Sequence, residues 1–189
     1  MKDGYSFDLT EEAARETYTL FLKTYVQIFA QMGLKVLPVK APTGPIGGDL
    51  SHEFHILTQT GESTLYYDKA YHNLSLEKDE DIDQLMTLYA VEEELYAATK
   101  TADSDRLEAS KGIEVGHIFY FGDKYTHALE TPVMMADGKK SYPYCSSYGI
   151  GVGRVVAAAI EASHDEFGIV WPQAIAPFDI GLMNLALGT

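Results

Sequence analysis

Apolar residues recur at intervals of three and four from Ala14 through Tyr18, Phe21, Leu22, Tyr25, Ile28 and Phe29 to Met32. This spacing predicts one long helix over about 9–32 with a single core face. Asp8 and Glu11 have the spacing of a capping box at its start, and Gly33 is a natural stop. Past the glycine the period shortens to two. Strands are expected over 34–39, where Pro38 suggests an edge or an irregularity, over 51–58 and over 63–67, with the glycine- and proline-rich 41–49 as a loop. On 51–58, His52, Phe54 and Ile56 alternate with Glu53, His55 and Leu57. The two histidines therefore face opposite ways and cannot ligate one metal ion together.

From 68 to 111 the pattern changes to a polar connection, a helix over about 80–99 with Ile82, Leu85, Met86, Tyr89 and Leu95 on one side, and a charged tail. This reads as an insertion on the periphery of a sheet. Strand composition returns over 111–122. Alternation there sets Glu114, Gly116, Ile118 and Tyr120 on one face, with Ile113, Val115, His117, Phe119 and Phe121 mostly on the other. Asp137-Gly138 is the turn of a hairpin between 132–135 and 141–144.

The stretch 146–172, SSYGIGVGRVVAAAIEASHDEFGIVWP, carries the most chemistry. Glycines at 149, 151 and 153 fall on one face of an extended strand, so a ligand could approach that backbone closely. Arg154 follows where strand gives way to the small-residue helix VVAAAIEA, a position suited to meeting a phosphate. The pattern is not the dinucleotide fingerprint GxGxxG, because Arg154 occupies its last glycine position and regular βαβ alternation is missing. His164-Asp165-Glu166 is assigned to capping and solvation, since adjacent residues at a helix end point apart. The sum is several hairpin-joined strands with two or three helices, an α+β fold on a mostly antiparallel sheet flanked by helices.

Composition narrows the function. The chain has 189 residues, 46% of them hydrophobic, enough for one good-sized core, and no apolar stretch long enough to span a bilayer. MKDGYSFD lacks the apolar core of a signal peptide. A lone cysteine, Cys145, excludes an internal disulfide framework and a multi-cysteine zinc site, which fits a reducing compartment and makes the cytoplasm the simplest location. The net charge of −14 argues against a general nucleic-acid surface.

Taken in order, MKDGYSFD, TGPIGGDLSHEFHIL, GIEVGHIFYFGDKYT, SSYGIGVGRVVAAAIEASHDEFGIVWP and IAPFDIGLMNL resemble the catalytic core of the bacterial prolyl-tRNA synthetases, a class II aminoacyl-tRNA synthetase family. The resemblance covers nearly everything outside 68–111. It implies an ATP- and Mg²⁺-dependent ligase that activates L-proline to prolyl-adenylate and passes it to tRNA(Pro), in a parent enzyme that is a homodimer with no membrane attachment. The 146–172 stretch becomes the third class II motif, with Arg154 on the ATP γ-phosphate and Gly149 and Gly151 beneath the adenosine. By the same resemblance Glu114 is an acidic ligand to Mg²⁺ and ATP, and His117 with Phe119 matches the amino-acid pocket. Glu53 would receive the prolyl ammonium, Met1 and Asp3 would floor the proline pocket, and Ser147 would bound the pyrrolidine ring. Larger side chains at 147 would shrink that pocket.

The implied organisation is catalytic core over 1–67 starting inside the second motif, a short insertion over 68–111 in place of an editing domain, core with the third motif over 112–175, and the start of an anticodon-binding domain over 176–189. On this reading the family's α-phosphate arginine, its adenine-stacking phenylalanine, its first motif and a proline-holding loop lie outside the sequence, so the chain alone is expected to be weak or inactive. Two departures stand out: Cys145-Ser146 where the family has Met-Gly, and Gly153 where Ser or Thr is common. The alternative is a non-catalytic class II-like module used for binding or assembly.

Overall fold

A computed structural model describes residues 1–99 and 104–185. The elements in chain order are β1 (Lys2–Asp8), α1 (Glu11–Gln31), β2 (Val36–Lys40), β3 (Leu50–Leu57), β4 (Ser63–Asp68), α2 (Asp79–Leu85), β5 (Ala90–Glu92), α3 (Glu93–Thr99) and β6 (Leu107–Gly122). They continue with α4 (Lys124–Ala128), β7 (Val133–Met134), β8 (Lys140–Ser141), β9 (Tyr144–Ile150), α5 (Val152–Ala162), β10 (His164–Asp165) and β11 (Gly168–Ile169). Seven strands form one sheet in the order β1-β9-β6-β3-β2-β5-β4, antiparallel except where β2 meets β5. The expected α+β architecture is what the chain adopts, and among the described residues no helix is long and apolar enough to cross a membrane.

One face of this sheet is the core. The helix α1 lays Tyr18, Leu22, Tyr25, Val26 and Phe29 against it, all buried, as the three-and-four spacing requires. They meet Phe54, Ile56, Ile118, Tyr148 and Ile150, the inward residues of β3, β6 and β9. Phe54 is fully buried between the rings of Tyr25 and Phe29, and Phe21 stacks on Tyr148 at 3.7 Å. Gly33, at φ 74°, ends the helix in a conformation that costs glycine least. The start differs from the capping-box expectation. Thr10 is the N-cap, accepting from the Ala13 amide, while Asp8 stays in β1 and accepts from the Thr17 hydroxyl. A threonine oxygen two residues nearer the first turn reaches the free amides that Asp8 cannot.

The segment 68–111 differs more. The helix expected over 80–99 is two short helices, α2 and α3, separated by β5, which hydrogen-bonds into the main sheet between β2 and β4. The strand expected from 111 starts at Leu107, and its first residues pair with β4. Of the apolar positions read for that helix, Ile82 and Leu85 are buried, while Met86, Tyr89 and Leu95 are only partly so. The hairpin at Asp137-Gly138 forms as β7 and β8. No regular element is found over 176–185, where the start of a further domain was expected, and the remainder of that stretch lies outside the described residues.

His52, on the core side of β3, shares a 2.8 Å hydrogen bond with the Tyr18 hydroxyl, and His55 points to the opposite face. Burial, with Lys40 and His117 nearby, pushes the His52 ring down to about 4, so it is neutral in the fold at neutral pH. The unfolded chain takes up this proton as pH falls through about 6.5, so His52 favours the folded state above that value and loses its contribution toward pH 4. Equilibrium urea unfolding is expected to show stability falling by up to about 3 kcal/mol from this group between pH 6.5 and 4. His52→Gln should flatten that slope.

Candidate active site

The other face of the sheet carries a cleft. Strand alternation and register bring Ser51, Glu53 and His55 of β3, His117 and Phe119 of β6, Ser147 and Gly149 of β9, and Asp3 and Tyr5 of β1 into adjacent rows. A cleft of about 330 Å³ lies over these rows, lined among others by Met1, Asp3, Glu114, His117, Phe119, Ser147, Gly149, Gly151 and Arg154. Every residue given a site role by the resemblance lines it except Glu53. That carboxylate lies just beside it, with Oε1 3.8 Å from His117 Nδ1. The cleft adjoins an apolar hollow of about 640 Å³ walled by Phe7, Phe121, Tyr125 and Leu129, with Tyr5, Ile46 and Ser147 shared between them.

The face assignment of Glu114 is corrected. Simple alternation set it opposite His117, yet its Oε1 lies 3.3 Å from His117 Nδ1. The cause is a β-bulge. Phe54 pairs with Gly116 while its neighbour His55 pairs with Glu114, so Val115 has no partner on β3 and the side-chain parity flips there. The bulge leaves Val115 buried and uses its carbonyl to accept from the Gly151 amide at 2.9 Å. It thereby fixes the start of α5 relative to β6.

The glycine strand is also corrected. Gly149 lies in β9, but the strand ends at Ile150, Gly151 is the N-cap of α5 and Gly153 sits inside the helix. The alternating spacing holds through only one of the three glycines because the early helical turn rotates the others away from the strand's rows. Gly149 and Gly151 still line the cleft. Arg154, in the first turn of α5, donates from Nε to the Glu114 carbonyl at 2.7 Å and directs its terminal nitrogen to the Glu62 carboxylate. Its guanidinium is about half exposed at the mouth of the cleft.

The buried end of the cleft is acidic. Glu53, Glu114 and His117 offer oxygen and nitrogen atoms that all lie within 4.8 Å of one another. His117 is held from behind by Ser51, whose Oγ is 2.6 Å from Nε2, and from the side by Phe119, stacked at 3.8 Å. Glu53 Oε2 is 2.7 Å from His55 Nε2. Burial works against the Glu53 charge, but the His55 hydrogen bond and the two nearby imidazoles outweigh it and hold the carboxyl below its usual range. The site therefore presents an ionised carboxylate in a partly dry setting, an acceptor for a small cation.

Sequence reasoning did not use Ser51, His55 or Glu62. The first two were readable, since positions 51, 53 and 55 share a face of one strand. Glu62 was not, because its contact with Arg154 joins a turn to a helix far away in the sequence.

The model of the tRNA synthetase class II core domain (G, H, P, S and T) matches residues 1–163. The chain belongs to this family. A proline–tRNA ligase from Wolbachia sp. subsp. Drosophila simulans is 53% identical over 186 residues, covering 98% of this chain and 44% of that protein. Those from Rickettsia africae and Acidiphilium cryptum are 50% and 47% identical and are covered over 44% and 46% of their lengths. The chain thus spans less than half the length of these curated relatives. Among solved structures, the prolyl-tRNA synthetase of Giardia lamblia in complex with prolyl-adenylate shares the fold at a TM-score of 0.60 and 14% identity, over 93% of this chain and 25% of that one. The Cryptosporidium parvum prolyl-tRNA synthetase complexed with L-proline and AMP gives a TM-score of 0.58 at 15% identity.

Proposed function

We propose that this chain carries part of the adenylation site of a proline–tRNA ligase. The observation that carries the reading is the arrangement of the cleft, with an ionised carboxylate and imidazole at one end, a glycine strand along the wall and a half-exposed arginine at the other. Relatives named as proline–tRNA ligases at about half identity support the choice of amino acid.

In this reading the secondary ammonium of proline is received by Glu53 Oε1, with His117 beside it. Its ring lies between Phe119 and Ser147 over a floor of Met1 and Asp3. The proline carboxylate is then directed along β9, where Gly149 and Gly151 leave room for the nucleotide against the backbone. The carboxylate oxygen forms a bond to the α-phosphorus and the bond to the bridging oxygen of pyrophosphate breaks in line. Arg154 faces the departing charge, which is strongest as that bond breaks. The second step transfers the prolyl group to the terminal ribose hydroxyl of tRNA(Pro) and releases AMP. Neither step needs a protein nucleophile.

Glu114 fits a Mg²⁺ ligand, since its carboxylate is partly exposed next to His117, its main-chain carbonyl is held by Arg154, and a hard cation that keeps several waters needs only one or two protein oxygens. When bound there, Mg²⁺ would neutralise phosphate charge. The homodimer implied by the resemblance belongs to the same proposal.

ATP and Glu62 would compete for the same arginine nitrogens. Because both side chains are about half exposed, their ion pair contributes under about 1 kcal/mol. Glu62→Gln is accordingly expected to tighten ATP binding by no more than about threefold, read by calorimetric titration.

The function is tested by pyrophosphate exchange into ATP on a chain extended to the full length of the curated relatives. Exchange that requires proline and is abolished by Arg154→Ala supports the reading. Absence of exchange with Arg154 intact refutes it.

A further inference from the structure

His55 has no role in the reading above, yet its environment is unusual. The side chain is wholly buried, on the site face of β3 rather than the core face. Its Nε2 lies 2.7 Å from Glu53 Oε2, while its Nδ1 is buried without a hydrogen-bond partner. This asymmetry selects the tautomer. A hydrogen on Nδ1 would be a buried donor with nothing to meet, whereas a bare Nδ1 lone pair is the cheaper omission, and a hydrogen on Nε2 meets a carboxylate directly. His55 is therefore a donor aimed at Glu53.

The ring is also locked in place. Gly112 packs so closely that a Cβ built there would lie 3.0 Å from both the Cβ and the Nδ1 of His55. With Oε2 tied back to a ring that cannot swing, the Glu53 carboxylate has one orientation, and its free oxygen, Oε1, is the one that faces His117. Ser51 does for His117 what His55 does for Glu53, bonding Nε2 and leaving Nδ1 toward the cleft. Positions 51 and 55 of one strand thus flank the acceptor at 53 and fix both Glu53 and His117 from the side away from the ligand. Supporting hydrogen bonds of this kind hold a charged acceptor in place before the ligand arrives, which removes an ordering cost from binding.

We infer that His55 is a positioning residue that holds Glu53 Oε1 on the substrate ammonium and so sets the preference of the site for an amine over an uncharged isostere. The inference rests on the proposed placement of the prolyl ammonium at Glu53. It predicts selectivity, which a residue that merely fills the core would leave alone.

Two variants of nearly equal shape separate the possibilities. His55→Gln keeps an N–H near the position of Nε2, and His55→Met fills similar space without a donor. A chain extended to the full length of the curated relatives would be titrated calorimetrically with two sulfamoyl-linked adenylate analogues, one carrying the prolyl group and one with the ring nitrogen replaced by oxygen. Wild type is expected to prefer the amine-bearing analogue. His55→Met should lose about tenfold on that analogue and change less than twofold on the oxygen isostere, which corresponds to one charge-assisted hydrogen bond held out of place. His55→Gln should return the amine affinity to within about threefold of wild type.

Equal losses on both analogues in His55→Met, or no rescue by His55→Gln at an unchanged melting temperature, would overturn the positioning role while leaving the ammonium placement intact. Wild type that fails to distinguish the two analogues would instead remove the ammonium placement, and the positioning role with it. If His55→Met does not fold, His55→Gln decides alone. Retained wild-type selectivity supports the inference, and selectivity lost in a folded protein overturns it.

Discussion

Gly149→Val is expected to abolish binding of a prolyl-adenylate analogue, by at least about 100-fold, in a protein that remains folded. The two halves of this expectation come from the same geometry. The nearest neighbours of a Cβ at position 149 would be the His117 carbonyl and Met1 Cε at 3.6 Å and Asp3 Oδ1 at 3.9 Å, all ordinary contacts. The residue lies in a regular strand paired on both sides, where β-branched side chains are favoured. Nothing in the fold therefore requires glycine there. What the side chain would occupy is the cleft, along the wall where the nucleotide is proposed to lie. Gly48 is the contrast, with φ 102° and a built Cβ 2.2 Å from the Tyr120 carbonyl, so its glycine serves the backbone and not a ligand. Calorimetry and thermal melting on Gly149→Val should thus disagree, with binding lost and the melting temperature close to wild type.

Glu53→Gln is expected to weaken the same analogue by about 30-fold, or about 2 kcal/mol, again with little change in stability. The substitution keeps shape and leaves an amide oxygen to accept from His55, so the 2.7 Å hydrogen bond has a replacement. It removes the charge. In a half-buried setting a secondary ammonium facing a neutral amide loses a charge-assisted bond without regaining full hydration, which sets the size of the effect. Binding of the oxygen isostere should not fall, since it carries no cation to lose.

The sequence made the core face plain and the site face only partly so. Periodicity placed Tyr18, Tyr25 and Phe29 on α1 and Phe54 and Ile56 on β3 correctly, because burial of large apolar groups dominates those positions. It failed at Glu114, where one extra residue at Val115 reverses the parity of the strand. No local pattern marks such a bulge, since it is set by pairing with β3. It failed again at 80–99, where β5 is only three residues long and borrows its pairing from two distant strands. Gly151 and Gly153 were read as strand, although helix formation had already begun. The residues named by the resemblance come together at one cleft, Glu53 just beside it, although the faces drawn from alternation did not all hold. A segment match compares positions already solved by the fold, bulges included.

The central claim is that one cleft joins an ammonium site at Glu53 and His117 to a phosphate site at Arg154. Calorimetric titration of a chain extended to the full length of the curated relatives with the sulfamoyl-linked prolyl-adenylate analogue tests the ammonium and adenosine ends together. The account predicts saturable binding with one site per chain, weakened by Glu53→Gln and lost in Gly149→Val. No binding to the wild-type chain, or binding indifferent to both substitutions, would contradict it.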